Sequence, residues 1–377
     1  MKINFLVHDC FPEIGHTRAM VEVFRKMKPE SIEKIRVICY TSASPEIIWP
    51  EHPEKIEIKY VPLKSLKPFI LKSLFFQIYT WLFQGKLLQS NAKTITMGVC
   101  SFVGDIVNIQ FSHKIWEELY FKFIPTPFFK RVYKKVLLRY LSICEKIYYS
   151  KEGLQFVFLS EFMAKELTKS FNIQEDNYSI AYSSADMAFF GPNQKNGRQD
   201  RINYIKENYP QLKNLDEKKP VLLFVGAYER KGLPSIVEKV SNEINFIIIG
   251  KGERGSLFNL PDKENFFHIE FTKEINSFFN ACDAFIFPTS FEPFGLVVLE
   301  AYASGMKVFV SEDRVGATEI IKGTEGVTLI EATDESIPKV DILENNHRLA
   351  NFEKRKAVLE KYNWQKCSDQ WQKVLTS

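Results

Sequence analysis

Glu292 and Glu300 stand eight positions apart in the run Ser290-Phe291-Glu292-Pro293-Phe294-Gly295-Leu296-Val297-Val298-Leu299-Glu300. The residues just before it, Asp283 to Pro288 (DAFIFP), are short, apolar and β-prone, and read as a strand that feeds a turn carrying Pro and Gly. Pro293 suits a first helical position, because its missing N–H would be unpaired there, and Gly295 lets the backbone approach a ligand. The spacing predicts a helix opening at Pro293, with the amides of Phe294, Gly295 and Leu296 turned toward an anion at the positive end of the helix dipole. Eight helical steps would hold the two carboxylates ~12 Å apart, too far for one metal ion or a shared proton and suited to an elongated ligand.

Other chemistry sits at the ends of predicted strands. Pro220–Val225 runs into Gly226-Ala227-Tyr228-Glu229-Arg230-Lys231-Gly232, followed by a predicted helix over 233–240. A Gly turn with paired cations suits a diphosphate: amides approach it, and Arg230 and Lys231 neutralise its charge. Gly250-Lys251-Gly252-Glu253-Arg254-Gly255 follows another strand, and Glu270 lies where a ribose-binding acid would be expected. Pro261 limits any helix there to about two turns, whereas a dinucleotide site opens a full one, so the motif is not read as a nicotinamide site. The strand Asp105–Phe111 ends at Ser112-His113, which places His113 where it could hydrogen-bond a sugar hydroxyl.

The run from Pro288 to Gly305, P-x-S-F-E-P-F-G-L-V-x-L-E-A-x-A-x-G, resembles the E-x7-E segment of family 4 retaining glycosyltransferases with the GT-B fold. The resemblance is dense over about 221–320 and thin over the first 190 residues. It implies that Glu292 lies against the donor sugar, that Phe294, Gly295 and Leu296 hold the diphosphate, and that Glu300 binds the ribose. It implies that Gly226, Arg230 and Lys231 form a second phosphate loop, although Ala227 stands where many members carry Arg. His113 matches the family's donor-sugar histidine. Phe11–Arg18 resembles the Gly-Gly loop after the first strand, with Ile14 in place of the first Gly; Gly15 would face the diphosphate, and Arg18 is a candidate phosphate or acceptor contact. Among members, the chain looks closest to bacterial enzymes building lipopolysaccharide core or other surface glycans.

Those residues need elements to carry them. Strand candidates fall near 2–7, 35–40, 56–61, 95–99, 105–111, 155–159 and 178–182, then near 220–225, 244–249, 265–270, 283–287, 306–310 and 326–330, with helix-like segments between. Such alternation predicts parallel sheets covered on both faces. The expected fold is α/β of the GT-B type, two doubly wound Rossmann-like domains facing a cleft. Its expected parts are an acceptor-side domain over 1–195, a nucleotide-sugar-binding domain over 196–360, and a helix over 361–377 that returns to the first domain.

The 377 residues suffice for two cores. No apolar run reaches the ~20 residues of a membrane span, and Met1–Asp9 is too short for a signal peptide. The six Cys are scattered without zinc spacing and read as reduced thiols of a cytoplasmic protein. Residues 1–190 hold 25 Lys and Arg against 19 Asp and Glu, and the remainder 25 against 27. No acid lies between Glu57 and Asp105, where six Lys mingle with Phe, Tyr and Trp, and Phe121–Tyr140 is similarly basic and aromatic. Such tracts suit an anionic membrane surface on its inner, cytoplasmic side, or else a core-facing aromatic stripe with a solvated basic face; they match no nucleic-acid motif.

The expected activity is metal-independent transfer of a hexose from a nucleotide diphosphate sugar, UDP or GDP, to a hydroxyl of a glycan or lipid-linked acceptor. No Asp-x-Asp pair offers a metal site, and no cofactor is expected. A nucleotide-sugar epimerase on the same fold, or a silent nucleotide-sugar-binding protein, stands as the alternative.

Overall fold

In the computed structural model every residue is described except 194, 195, 255, 332 and 333. Two compact units result. The first comprises Met1–Glu118, Val132–Ser183 and Trp364–Ser377; the second comprises Leu119–Arg131 and Ser184–Asn363. The domain junction expected at 195 falls on residues outside those described.

The first unit is built on seven parallel strands: β1 (Lys2–Leu6), β2 (Lys34–Cys39), β3 (Ile56–Tyr60), β4 (Ala92–Met97), β5 (Ile106–Ile109), β6 (Gln155–Phe158) and β7 (Tyr178–Ile180). Their order is β3-β2-β1-β4-β5-β6-β7, with Phe5 paired to Val37 on one side and Ile95 on the other. Ile3, Phe5, Val37, Ile38, Val107 and Phe158 are all buried, as expected of strands covered on both faces. The helix Gly15–Lys26 follows β1 and packs on the helix Trp364–Thr376, where Ser368 Oγ donates to Val23 O at 3.1 Å.

The second unit has six: β8 (Val221–Val225), β9 (Asn245–Ile249), β10 (Phe266–Ile269), β11 (Ala284–Phe287), β12 (Lys307–Ser311) and β13 (Val327–Ile330). The order β10-β9-β8-β11-β12-β13 reverses between β8 and β11. Such switch points are where open α/β sheets bind ligands. At the opposite end, buried Asp283 accepts from Arg198 Nη2 at 2.8 Å, Val221 N at 2.7 Å and Leu343 N at 2.9 Å, tying the start of β11 to β8 and to two segments outside the sheet.

All thirteen strand expectations correspond to observed strands. Three helix expectations fail. The helix after β11 opens at Leu296, not Pro293, because Glu292 pairs in a strand-like bridge with Val315 and Gly295 turns the chain at φ 92°. The carboxylates of Glu292 and Glu300 are therefore not eight helical steps apart. Leu233–Val240 is two short 3-10 turns, Leu233–Ser235 and Val237–Lys239, interrupted at Ile236. After Gly250 no helix forms among the described residues before β10, and Gly255 lies outside them.

Candidate functional site

Three glycines set the geometry of the second unit's loops. Gly226, at φ +137°, leaves β8 with its N–H on Ile249 O at 2.9 Å. A Cβ on Gly250 would lie 2.1 Å from Gly226 O, and one on Gly232 would lie 1.8 Å from Pro288 O. The turn after β8 is thus pressed backbone to backbone against the loops after β9 and β11. Tyr228 OH donates to Gly250 O at 2.9 Å, Glu253 N to Glu229 Oε2 at 2.8 Å, and Thr289 Oγ1 to Arg230 O at 2.9 Å.

This bracing brings two expected site residues into contact. Lys231 Nζ is paired with Glu292 Oε2, and the ammonium also lies 5.1 Å from the centre of the Phe287 ring. Lys231 is buried. Burial, and behind it the neighbouring Arg230, pull the lysine below its ordinary value, while a carboxylate in contact favours the charged form. The contact decides, and the pair is an ammonium and a carboxylate. Arg230, whose guanidinium burial pulls below its usual value, lies with Nε 3.9 Å from Glu253 Oε1.

Past Glu292, Phe294 and Gly295 are buried and Leu296 is half-buried at the helix start, where Val298 N donates to Gly295 O at 2.9 Å. Glu300, one turn on in Leu296–Ala303, is buried. The segment Arg314–Glu319 closes this loop from the side. Glu292 N donates to Arg314 O at 2.9 Å, Gly316 N to Glu292 O at 3.1 Å, and Ala317 N to Phe294 O at 2.7 Å. Sequence reasoning passed this segment over, although Gly316 just beyond β12 was a signal for it. Glu270 forms a 3.2 Å pair with Lys251 on the exposed surface.

The remaining expected residues lie in the first unit. Gly15 opens the helix after β1 and is exposed, while Arg18, one turn in, is half-buried with its guanidinium pulled below the usual value by burial and raised by Glu22. His113 opens the helix His113–Phe123 beyond β5. Burial, with a smaller push from His8, lowers it to about 4. Its backbone is fixed from a distance: Glu145 Oε1 accepts from His113 N at 2.6 Å and Oε2 from Lys114 N at 2.8 Å. Sequence reasoning missed Glu145, as it missed His8, whose ring lies 4.9 Å from that of Phe76 and 5.6 Å from that of Phe69.

Residues 205–364 match the family model described as glycosyl transferases group 1. They form a group 1 glycosyltransferase domain. A relative, the uncharacterized glycosyltransferase MJ1178 of Methanocaldococcus jannaschii, is 32% identical over 159 residues, which are 38% of this chain and 44% of that protein. The chain spans about half the length of the curated relatives it matches. Among solved structures, WaaG, a glycosyltransferase involved in lipopolysaccharide biosynthesis, superposes over 100% of both chains with a TM-score of 0.71 at 15% identity. Anabaena HepE, solved with UDP and glucose, does so over 100% of this chain and 99% of its own with a TM-score of 0.65 at 14% identity. The fold of this chain is GT-B.

Proposed function

We propose that this chain is a retaining hexosyltransferase that uses a nucleotide diphosphate sugar. The observation that carries the reading is the Lys231–Glu292 pair, held between the loops leaving β8 and β11 at the switch point of a group 1 glycosyltransferase domain. HepE, of the same fold, was solved with UDP and glucose.

In this reading Lys231 and Arg230, with the amides of Phe294, Gly295 and Leu296 and the turn at Gly226, take the diphosphate. Glu292 orients the sugar, and Glu300 the ribose. His113 offers a neutral imidazole to a sugar hydroxyl, and Gly15 and Arg18 face the phosphates or the acceptor. The bond from the sugar's anomeric carbon to the diphosphate breaks, a bond to the acceptor oxygen forms on the same face, and the acceptor's proton leaves with the departing phosphate. Charge growing on the leaving diphosphate meets fixed cations and amides, so no divalent ion is required. The acceptor is a glycan or lipid-linked hydroxyl, reached by a cytoplasmic enzyme peripheral to the inner face of the membrane.

Lys231→Ala should lower kcat about a hundredfold, because the lysine acts on charge that develops in the transition state. Steady-state transfer is measured with the UDP-, GDP- or ADP-sugar that most raises the melting temperature, since ligand bound only to the folded state stabilises it. Unchanged kcat, or an absolute need for magnesium, would overturn the reading.

A further inference from the structure

The helix Phe69–Leu82 in the first unit is apolar on its outer side. Its buried face carries Ser73, Gln77 and Thr80 beside Phe76, whereas Leu71, Leu74, Ile78, Trp81 and Leu82 are 39–59% exposed. Those five positions recur at helical spacing along one stripe. A helix of a water-bathed domain normally shows the reverse arrangement.

A second helix repeats the pattern beside it. In Phe128–Tyr149, Tyr140 OH donates to Gln77 Oε1, so the two helices meet through polar groups, while Val136, Ile143 and Ile147 are exposed. Contiguous exposed apolar surface marks an interaction site.

Charge identifies the occupant. Between Glu57 and Asp105 and between Glu118 and Glu145 there is no acidic residue, and the exposed cations of the first unit there include Lys64, Lys67, Lys86, Lys135 and Arg139. Apolar and aromatic side chains in stretches whose only charges are cations match a bilayer whose headgroups are anionic, although Arg139 also pairs with Glu117 at 3.6 Å. No helix among the described residues is long and apolar enough to cross a membrane.

We propose that the stripe Leu71–Leu74–Ile78–Trp81–Leu82 inserts into the headgroup region of an anionic bilayer, with the flanking lysines on the phosphates. For its use this rests on the transfer reading, because docking would bring a lipid-linked acceptor within reach; vesicle binding is measured without donor, and donor hydrolysis without vesicles, so the two can fail separately.

Trp81 is the reporter. It is 58% exposed, whereas Trp49, Trp116, Trp364 and Trp371 are buried. The full chain should sediment with vesicles of equal parts phosphatidylglycerol and phosphatidylcholine, and its tryptophan emission should shift to the blue. High salt should release only part of it, since screening removes the ionic share and leaves the apolar one.

Leu74→Ser with Ile78→Ser should weaken partitioning about tenfold or more and remove the emission shift. Lys64→Ser, Lys67→Ser and Lys86→Ser together should weaken binding to the anionic vesicles about a hundredfold and leave binding to pure phosphatidylcholine unchanged. All five positions are exposed, so a wild-type thermal melt shows that the variants fold. Absence of vesicle uptake by the wild-type chain overturns the proposal. So does uptake that the apolar variant leaves intact, or a wild-type dimer that this variant dissolves without any uptake.

Discussion

The loops after β8 and β11 in the second unit and the strand ends of β1 and β5 in the first both present chemistry beyond parallel strands, yet they are held in different ways. In the second unit the holding is steric and ionic. Gly232 and Gly250 admit no side chain, and the buried cation Lys231 is matched by Glu292. In the first unit Gly15 has open space around it, and the groups held there are titratable: His8 and His113, each lowered to about 4, and Glu145, pushed up to about 8, all chiefly by loss of solvation. One region should therefore refuse a methyl group, and the other should respond to protons.

The largest effect tests the steric half. Gly232→Ala puts a Cβ 1.8 Å from Pro288 O in a left-handed conformation at φ +79°. The turn must move, and with it Lys231 on one side and the Pro288–Glu292 loop on the other. A loss of about 3 kcal/mol or more is expected, since a backbone atom cannot yield as a side chain would. Denaturant unfolding measures it; a loss under about 1 kcal/mol would mean that the loops are not braced as described.

What the sequence disclosed follows the same division. β8, β9 and β11 were legible because strands buried on both faces are continuous apolar runs, and Gly226 and Gly232 announced the turn between them. The helix start at Leu296 was not legible, because the bridge from Glu292 to Val315 draws on a segment more than twenty positions away. Arg348 and Arg355 are buried against main-chain carbonyls, Phe279 O and Ser304 O for one and Tyr302 O and Met306 O for the other. Nothing in the sequence sets them apart from the other cations of Asn345–Lys361. Glu145 likewise looks like one more helix-surface acid until its two bonds to His113 N and Lys114 N are seen. Period and turn chemistry are local properties, whereas a buried charge depends on partners brought from elsewhere in the chain.

A middle-sized effect tests the proton half. His8 has Asp9 raising it and Lys72 and His16 lowering it, all weaker than burial, and its Nε2 has no hydrogen-bond partner among the described residues. A histidine at about 4 in the folded chain and 6.5 when unfolded binds fewer protons folded than unfolded between those values. Its stabilising share is complete above about pH 6.5 and is lost as pH falls toward 4. Glu145 runs the other way: folded, it keeps its proton from about 4.5 to 8, so its share is lost as pH rises through about 8. The first unit should lose stability below pH 6.5, seen as faster amide exchange in peptides spanning 106–118. Replacing His8 and His113 with Asn should remove that acid limb and expose the opposite limb of Glu145. An acid limb unchanged in the double variant would end the assignment.

The smallest effect separates structure from ligand. A Cβ on Gly15 meets nothing within 4 Å, and the residue has an ordinary backbone conformation at the start of Gly15–Lys26. Alanine is the better helix former, so Gly15→Ala should leave stability unchanged or raise it by about 0.5 kcal/mol, the reverse of Gly232→Ala. If Gly15 nevertheless faces the donor's phosphates, the methyl group occupies the space the ligand needs. Donor KM should then rise by roughly tenfold while the melting temperature holds, because the lost contact is one of binding. Equal KM in an equally stable variant would take Gly15 out of the donor site and leave it as a helix start with no further task. Unfolding of the variant, in contrast, would show that the first unit is braced there as tightly as the second, and the division between the two would fall.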